Sequence, residues 1–337
     1  MAKRASTDYC FVLGVDKPAG MSSHDVVNRV RRIYGERRVG HMGTLDPAAT
    51  GALAVCVGPA TRLDALLTAH DKTYEFTIVF GTATDTDDAE GSVVRSLPIP
   101  SELSDVEFAE SFIEGLKGKA KQLPPVYSAI KVAGQKSYEA ARKGKLIDLA
   151  PRDIEIYDAH LVAMEGSAEA PIWRVQAEVS AGTYVRSIAR DTGHALNTCA
   201  HVGELRRIQA GLLHVANCVS LQAIEAEPFS YQLDPLKLLG LRFLFADEAQ
   251  TAQVAVGKWL KARNLELYRY TRQAALGLDF DSCTSGIVAA PEPLFAGELV
   301  CIVVAHELKA IYEYDAEKNL LKSKCGFSKG VKRGGNL

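Results

Sequence analysis

At 337 residues, 47% of them hydrophobic and 24% charged, the chain has the composition of an ordinary folded protein, which speaks against disorder and fibres; its length sets a prior of two domains. Lys and Arg total 39 against 41 Asp and Glu, a formal net charge of -2, so no global basic surplus announces a nucleic-acid partner and the distribution of charge must decide. The seven cysteines (10, 56, 199, 218, 283, 301 and 325) are odd in number and form no C-x-x-C pair, which argues against a disulfide framework or a zinc knuckle and fits a reducing cytoplasm.

In chain order, the N-terminal MAKRASTDYCFVLGV starts basic, but its apolar run from Cys10 to Val15 is too short for a signal-peptide core. No later stretch approaches the roughly 20 apolar residues of a membrane span. Ser22-Ser23-His24-Asp25 reads as a capping box, followed by Val26, Val30 and Ile33 at helical spacing up to Gly35, which predicts a short amphipathic helix. In residues 26–41, Arg29, Arg31, Arg32, Arg37 and Arg38 face only Glu36, a local basic cluster that is either a solvated helix face or a polyanion contact. The stretch HMGTLDPAATG, 41–51, holds one carboxylate, Asp46. Proline disfavours the α conformation in the residue before it, so Asp46 is expected to be extended at the end of a turn that Gly43 permits, its carboxylate presented; the ordinary alternative is an Asx turn.

KTYEFTIVFG alternates Tyr74, Phe76, Ile78 and Phe80 against Thr73, Glu75 and Thr77, the period-two pattern of a strand with one buried face, so Tyr74 falls at a strand start. TDTDDAEG, 84–91, crowds Asp85, Asp87 and Asp88, but Ala89, Glu90 and Ser96 stand where a calcium loop needs other residues; it reads as a turn with solvated acids. Residues 123–162, flanked by Pro124-Pro125 and containing Pro151, mix aromatics with lysines and are expected to form a long ordered excursion, with a helical piece near Tyr138 to Lys143. Trp173, Val175, Ala177 and Val179 alternate, and after Gly182 the spacing shifts to Val185, Ile188, Thr192 and Leu196: a strand, a turn and a helix with Arg186 in its first turn. Beyond about residue 228, LVCIVV (299–304) and AIYEYD (310–315) suggest a smaller β-rich domain.

His41-x-Gly43-Thr44-Leu45-Asp46-Pro47, then Lys72-Thr73-Tyr74, then Gly182-Thr183-Tyr184-Val185-Arg186, then Leu205-Arg206-Arg207, in this order and spacing, resemble the TruB-type tRNA pseudouridine synthases. So do DKPAGMSSHDVVNRVRRIYG (16–35), TDTDDAEG and LPPVYSAIK (123–131), and the resemblance spans about residues 11–215. It implies an α+β pseudouridine synthase fold on a mixed, mostly antiparallel sheet with flanking helices at 1–230, a thumb-loop insertion at about 123–152, and a small β-rich PUA-like domain at 231–337. It implies isomerisation of uridine 55 in the T-loop of tRNA by a base-flipping enzyme that uses no cofactor and no metal. Asp46, Tyr74 and Arg186 take the catalytic positions, and His41, Tyr74, Tyr184 and Leu205 the substrate-binding ones. A carboxylate suits this chemistry because it can add covalently to sugar or uracil, or support glycal-like species at C1′. A nearby guanidinium, here assigned to Arg186, would keep it ionised. The expected phosphate contacts are the arginines after Asp25, the 123–152 excursion and the C-terminal lysines, Lys322, Lys324, Lys329 and Lys332, of a basic tail that also contains Arg333. The expected partner is the T-arm and elbow of tRNA, with no membrane association, and the expected state is a cytoplasmic monomer.

Three rivals carry different predictions. A non-catalytic RNA-folding module would bind the tRNA elbow without needing Asp46, Tyr74 and Arg186 together. A relative working inside a guide-RNA particle would show a larger, better-matched C-terminal domain. A carboxylate hydrolase acting on nucleosides would want a second acid about 5 to 10 Å from the first.

Overall fold

The computed structural model describes residues 8–127, 131–132, 135–136, 149–271 and 286–334. Packing divides the chain into two compact units, one formed by Met1–Ala69 with Gln209–Leu337 and the other by His70–Ile208. Helices and largely antiparallel sheets mix in both, an α+β architecture.

In the first unit, strand Phe11–Lys17 pairs antiparallel with Thr50–Val57, from Phe11↔Val57 to Lys17↔Gly51, and Val39–Met42 pairs with the far end of Thr50–Val57. Phe11, Val12, Leu13 and Val15 are all fully buried, because this ribbon is covered on both faces, which is why its sequence reads as a continuous apolar run. Phe11 meets the Tyr34 ring of helix Ser23–Tyr34 at 5.0 Å. Its neighbours Cys10 and Val12 join Ala52, Ala54 and Cys56 in a core shared with Phe243, Cys301, Ile311 and Phe327. The helix obeys its sequence signals: Ser22 and Asp25 form the reciprocal capping box, and Gly35 ends it at φ 65, a left-handed conformation that glycine adopts without strain.

The C-terminal seven-stranded sheet runs Leu260–Lys261, Leu320–Lys332, Glu307–Asp315, Leu299–Val304, Arg242–Phe245, Tyr268–Tyr270, Ile287–Ala289. All neighbours are antiparallel except Arg242–Phe245 with Leu299–Val304. Cys301 and Val303 face the core just named, whereas Val300 and Ile302 face a second cluster with Leu244, Tyr312 and Leu321. The run LVCIVV is apolar throughout because each face of its strand has a core of its own.

One basic residue of the tail lies inside the fold. Arg333 is 2% exposed and pairs with buried Asp234 at 3.0 Å, donating also to the Tyr270 hydroxyl at 2.6 Å, while that hydroxyl donates to Asp234 at 2.7 Å. It is an internal charge. Asp234 further accepts from the Leu236 N–H and so caps helix Pro235–Leu239.

The second unit stacks strands in the order Ala200–Ala210, Lys72–Phe80, Ala170–Val179, Arg152–Ser167, Gly118–Gln122. Tyr74, Phe76, Ile78 and Phe80 are buried as the alternation predicts. Thr77, placed on the outer face, is buried too, and its hydroxyl accepts from the Glu204 N–H at 2.7 Å. Trp173 is fully buried, its indole donating to the Leu103 carbonyl at 2.9 Å among Phe80, Phe108 and Phe112. The excursion expected over 123–162 is shorter than that: from Arg152 onward the chain is a sixteen-residue strand. The helical piece expected near Tyr138 to Lys143 lies outside the described residues. The six described cysteines are free thiols; burial pushes Cys10 up to about 12, which makes it a poor nucleophile. No helix among the described residues is long and apolar enough to cross a membrane.

The buried pair yields a stability prediction. Asp234→Ala leaves the Arg333 guanidinium buried without its carboxylate and should cost roughly 3 to 5 kcal/mol, read as a fall in the urea midpoint of unfolding.

Candidate active site

The loop carrying Asp46 is held from both sides of that residue. It leaves strand Val39–Met42 through Gly43 at φ 76, as the turn requires. Leu45 is 3% exposed, and its backbone is clamped by buried Ser23, whose hydroxyl accepts from the Leu45 N–H at 2.9 Å and donates to the Leu45 carbonyl at 3.0 Å. On the other side, the Pro47 carbonyl accepts from the Gly20 N–H at 3.0 Å and from the Lys17 ammonium at 3.0 Å. Lys17 is fully buried, donating also to the carbonyls of Pro18 at 2.8 Å and Met21 at 2.6 Å. Asp46 itself is half-buried, and its carbonyl accepts from the Ala49 N–H at 3.1 Å. His41, opposite Val55 in the adjoining strand pair, is half-buried as well.

The sequence reading missed both clamps. A signal for Lys17 existed: an ammonium ending an otherwise apolar strand must find several oxygens if it stays inside. Ser23 is the second serine of a pair whose first does the capping, and nothing local distinguishes it.

The second unit carries Tyr74, Tyr184, Arg186 and Leu205. Tyr74 is 8% exposed, paired in register with Ala177 near the start of its strand. Tyr184 is the N-cap residue of helix Val185–Ala195. Buried Gln122 fixes it at two points, its amide oxygen accepting from the Tyr184 N–H at 2.8 Å and its amide nitrogen donating to the Tyr184 carbonyl at 3.1 Å. Arg186 follows in the first turn, 5% exposed, where the helix dipole disfavours a cation. Oxygens compensate: Arg186 donates to the carbonyls of Thr86 and Tyr127, each at 2.9 Å, and stands 3.8 Å from the Asp88 carboxylate. One turn on, Arg190 bonds Asp87 at 3.1 Å and the Leu123 carbonyl at 2.8 Å.

The acids of TDTDDAEG are therefore not all solvated, as the sequence reading had them. Asp88 is 8% exposed and Asp87 lies half-buried against Arg190, with burial raising the Asp87 carboxyl above its usual range in spite of that guanidinium. Leu205, in strand Ala200–Ala210, is half-buried two residues before buried Arg207. At the mouth of the neighbouring strand the Lys72 amine is pushed down to about 8, first by burial and then by the Arg207 charge.

His41 and Asp46 thus share one short hairpin of the first unit, and Tyr184 and Arg186 share a helix start in the second, where that helix packs on the strand of Tyr74. The described residues contain no group of three or more His, Cys, Asp or Glu arranged to hold a metal. The first unit thus holds the backbone on both sides of one half-buried carboxylate, and the second holds a buried guanidinium two residues after a tyrosine N-cap.

Comparison with known proteins defines the class. Residues 31–185 match the family described as TruB family pseudouridylate synthase (N terminal domain), and residues 186–238 match the tRNA pseudouridylate synthase B C-terminal domain. The chain belongs to the TruB family of pseudouridylate synthases and is an isomerase. A protein named tRNA pseudouridine synthase B from Mycobacterium avium (strain 104) is 45% identical over 241 residues, 71% of this chain and 77% of the relative. One of the same name from Mycolicibacterium paratuberculosis (strain ATCC BAA-968 / K-10) is 44% identical over 241 residues, 71% of this chain and 82% of the relative. In fold, the chain is similar to one in the structure of an H/ACA ribonucleoprotein bound to a substrate RNA containing 2′-deoxyuridine, with TM-score 0.61 at 20% identity, covering 98% of this chain and 86% of that one. A chain of a Cbf5-Nop10-Gar1 complex matches with TM-score 0.61 at 22% identity, covering 94% and 83%.

Two predictions follow from these contacts. Ser23→Ala strands the Leu45 N–H and carbonyl inside the fold and should cost about 1 to 3 kcal/mol, measured by denaturant unfolding. For Lys72, the folded value of about 8 lies below the unfolded value of roughly 10.4, so between these pH values the unfolded chain holds the extra proton and stability rises with pH. The native urea midpoint minus that of Lys72→Met should be larger at pH 10 than at pH 7.5, a difference in which the other titrating groups, the buried thiols among them, cancel.

Proposed function

We propose that the chain converts uridine 55 in the T-loop of tRNA to pseudouridine, with Asp46 as its catalytic acid and without a cofactor. The observation that carries this reading is the double clamp on Leu45 and Pro47, which holds the backbone on both sides of a single carboxylate. A reaction that must meet one sugar carbon needs such pre-organisation. The relatives support the substrate class, since they are tRNA pseudouridine synthases by name.

In the reaction, the C1′–N1 bond of the uridine breaks, the uracil turns, a C1′–C5 bond forms, the C5 proton leaves and N1 takes one up. The Asp46 carboxylate either adds to sugar or base, or takes the 2′ proton and supports a glycal-like species. Arg186, already a guanidinium in a sheltered setting, is assigned the charge that favours the ionised acid. Tyr74 stacks on the uracil and accepts the C5 proton late, while Tyr184 and Leu205 close the base pocket. A uridine inside a folded loop must be extruded, which costs a few kcal/mol of stacking and pairing; His41 takes the vacated place in the stack and returns part of that energy. The 123–152 segment serves as the thumb over the T-loop, and 231–337 as a PUA-like RNA-binding domain, in a cytoplasmic monomer.

The test is release of tritium to water from a tRNA transcript labelled at uridine C5, in EDTA. The native chain should release it in proportion to the uridine converted, and Asp46→Asn should release none while binding tRNA within a few fold of the native affinity. Turnover by Asp46→Asn would remove Asp46 from its role. Tight binding without release by either protein would leave a non-catalytic tRNA-folding protein as the better reading.

A further inference from the structure

Trp259 is one of two tryptophans in the chain and is 49% exposed, with Val256 beside it in sequence at 69%. Large aromatic side chains bury well, so one left on the surface of a well-packed sheet calls for a use. Its backbone is tied on both sides. Leu260 and Lys261, directly after it, pair with Leu321 and Leu320 of the last strand, and the Lys258 carbonyl just before it accepts from the buried Tyr312 hydroxyl at 2.8 Å.

Two lysine ammonium groups stand over the ring and two more lysines flank it in sequence. The Lys322 ammonium stands 5.1 Å and that of Lys318 5.6 Å from its centroid, and Lys258 and Lys261 are exposed on either side of it in sequence. Against these four cations the adjoining hairpin tip offers Asp315 and Glu317, and Asp315 is already paired with Lys322. The patch lies beyond residue 238, where the family-model match ends.

We propose that Trp259 is a stacking platform for an unpaired nucleotide of the RNA substrate, with Lys318, Lys322, Lys258 and Lys261 taking the phosphates around that base. The proposal rests on the reading of the chain as an RNA-modifying enzyme. Aromatic faces interleaved with cations suit single-stranded nucleic acid, because every base has a π-face and each nucleotide carries a charge. A duplex offers the charge but keeps its base faces stacked, so the indole selects for unpaired nucleotides. An apolar protein partner would gain little from a ring flanked by two ammonium groups that it would have to desolvate.

The other tryptophan, Trp173, is fully buried, so emission open to acrylamide reports on Trp259. Unmodified tRNA transcript and single-stranded oligouridylate should quench that emission and shield it from acrylamide, whereas a blunt RNA duplex at equal phosphate concentration should not. Trp259→Ala should weaken tRNA binding about 5-fold or more, with Trp259→Phe retaining most of the affinity and both variants unfolding at the native urea midpoint. Replacing Lys318 and Lys322 together by Ala should lower the slope of log affinity against log salt by about 1.5. If the native chain binds and converts tRNA while Trp259 stays open to acrylamide and Trp259→Ala binds with native affinity, the platform is refuted and the enzyme reading stands. Quenching by the duplex as strong as by oligouridylate would refute selection for unpaired nucleotides. Absence of tRNA binding by the native chain would overturn the enzyme reading itself, and this inference with it.

Discussion

A fully buried ammonium can persist only where oxygens replace its lost hydration, and the Lys17 ammonium meets that constraint with three carbonyls drawn from two stretches of chain, Pro18 and Met21 on one side and Pro47 on the other. The end of strand Phe11–Lys17, the turn into helix Ser23–Tyr34 and the loop of Asp46 are thereby tied at one point. Ser23 adds a second tie at Leu45 from the first turn of the same helix. Moving any of the three would leave the ammonium or a buried peptide group unsatisfied, so the hydrogen-bonding needs of its neighbours hold the backbone of the acid in place.

The second unit solves the reverse problem, a cation placed where a helix end is already positive. Arg186 is tolerated in the first turn of its helix because carbonyls at Thr86 and Tyr127 and the Asp88 carboxylate lie within its reach. Arg190 repeats the arrangement one turn later with Asp87 and Leu123. Together the two arginines attach the acidic loop and the start of the 123–127 segment to one helix face. The acids thus serve the guanidinium groups, and Gln122 secures the tyrosine that begins the helix.

Sequence similarity and fold similarity cover different lengths of the chain. The tRNA pseudouridine synthase B relatives align with 71% of it at 44 to 45% identity, whereas the H/ACA-associated chains align with 94 to 98% at 20 to 22%. The fold likeness therefore covers more of the chain than the sequence likeness does. The inward residues of the C-terminal sheet are constrained by two cores, one on each face, while Trp259 is exposed.

What the sequence determined by itself is what short-range physics controls. The capping box at Ser22 and Asp25, the left-handed glycines at 35 and 43, the alternation around Tyr74 and Trp173 and the helix start at Arg186 depend on residues a few positions apart, and each stands in the structure where the pattern put it. The motif order also disclosed the family, because it samples the chain at many points. Tertiary structure alone decided which polar groups satisfy one another. Lys17 reaches a carbonyl 30 residues away, Ser23 a peptide 22 away, Gln122 a helix cap 62 away and Arg333 a carboxylate 99 away. None of these partners is implied by local spacing, since a buried donor accepts any oxygen that the fold brings within about 3 Å, and which oxygen arrives depends on the packing of the whole unit.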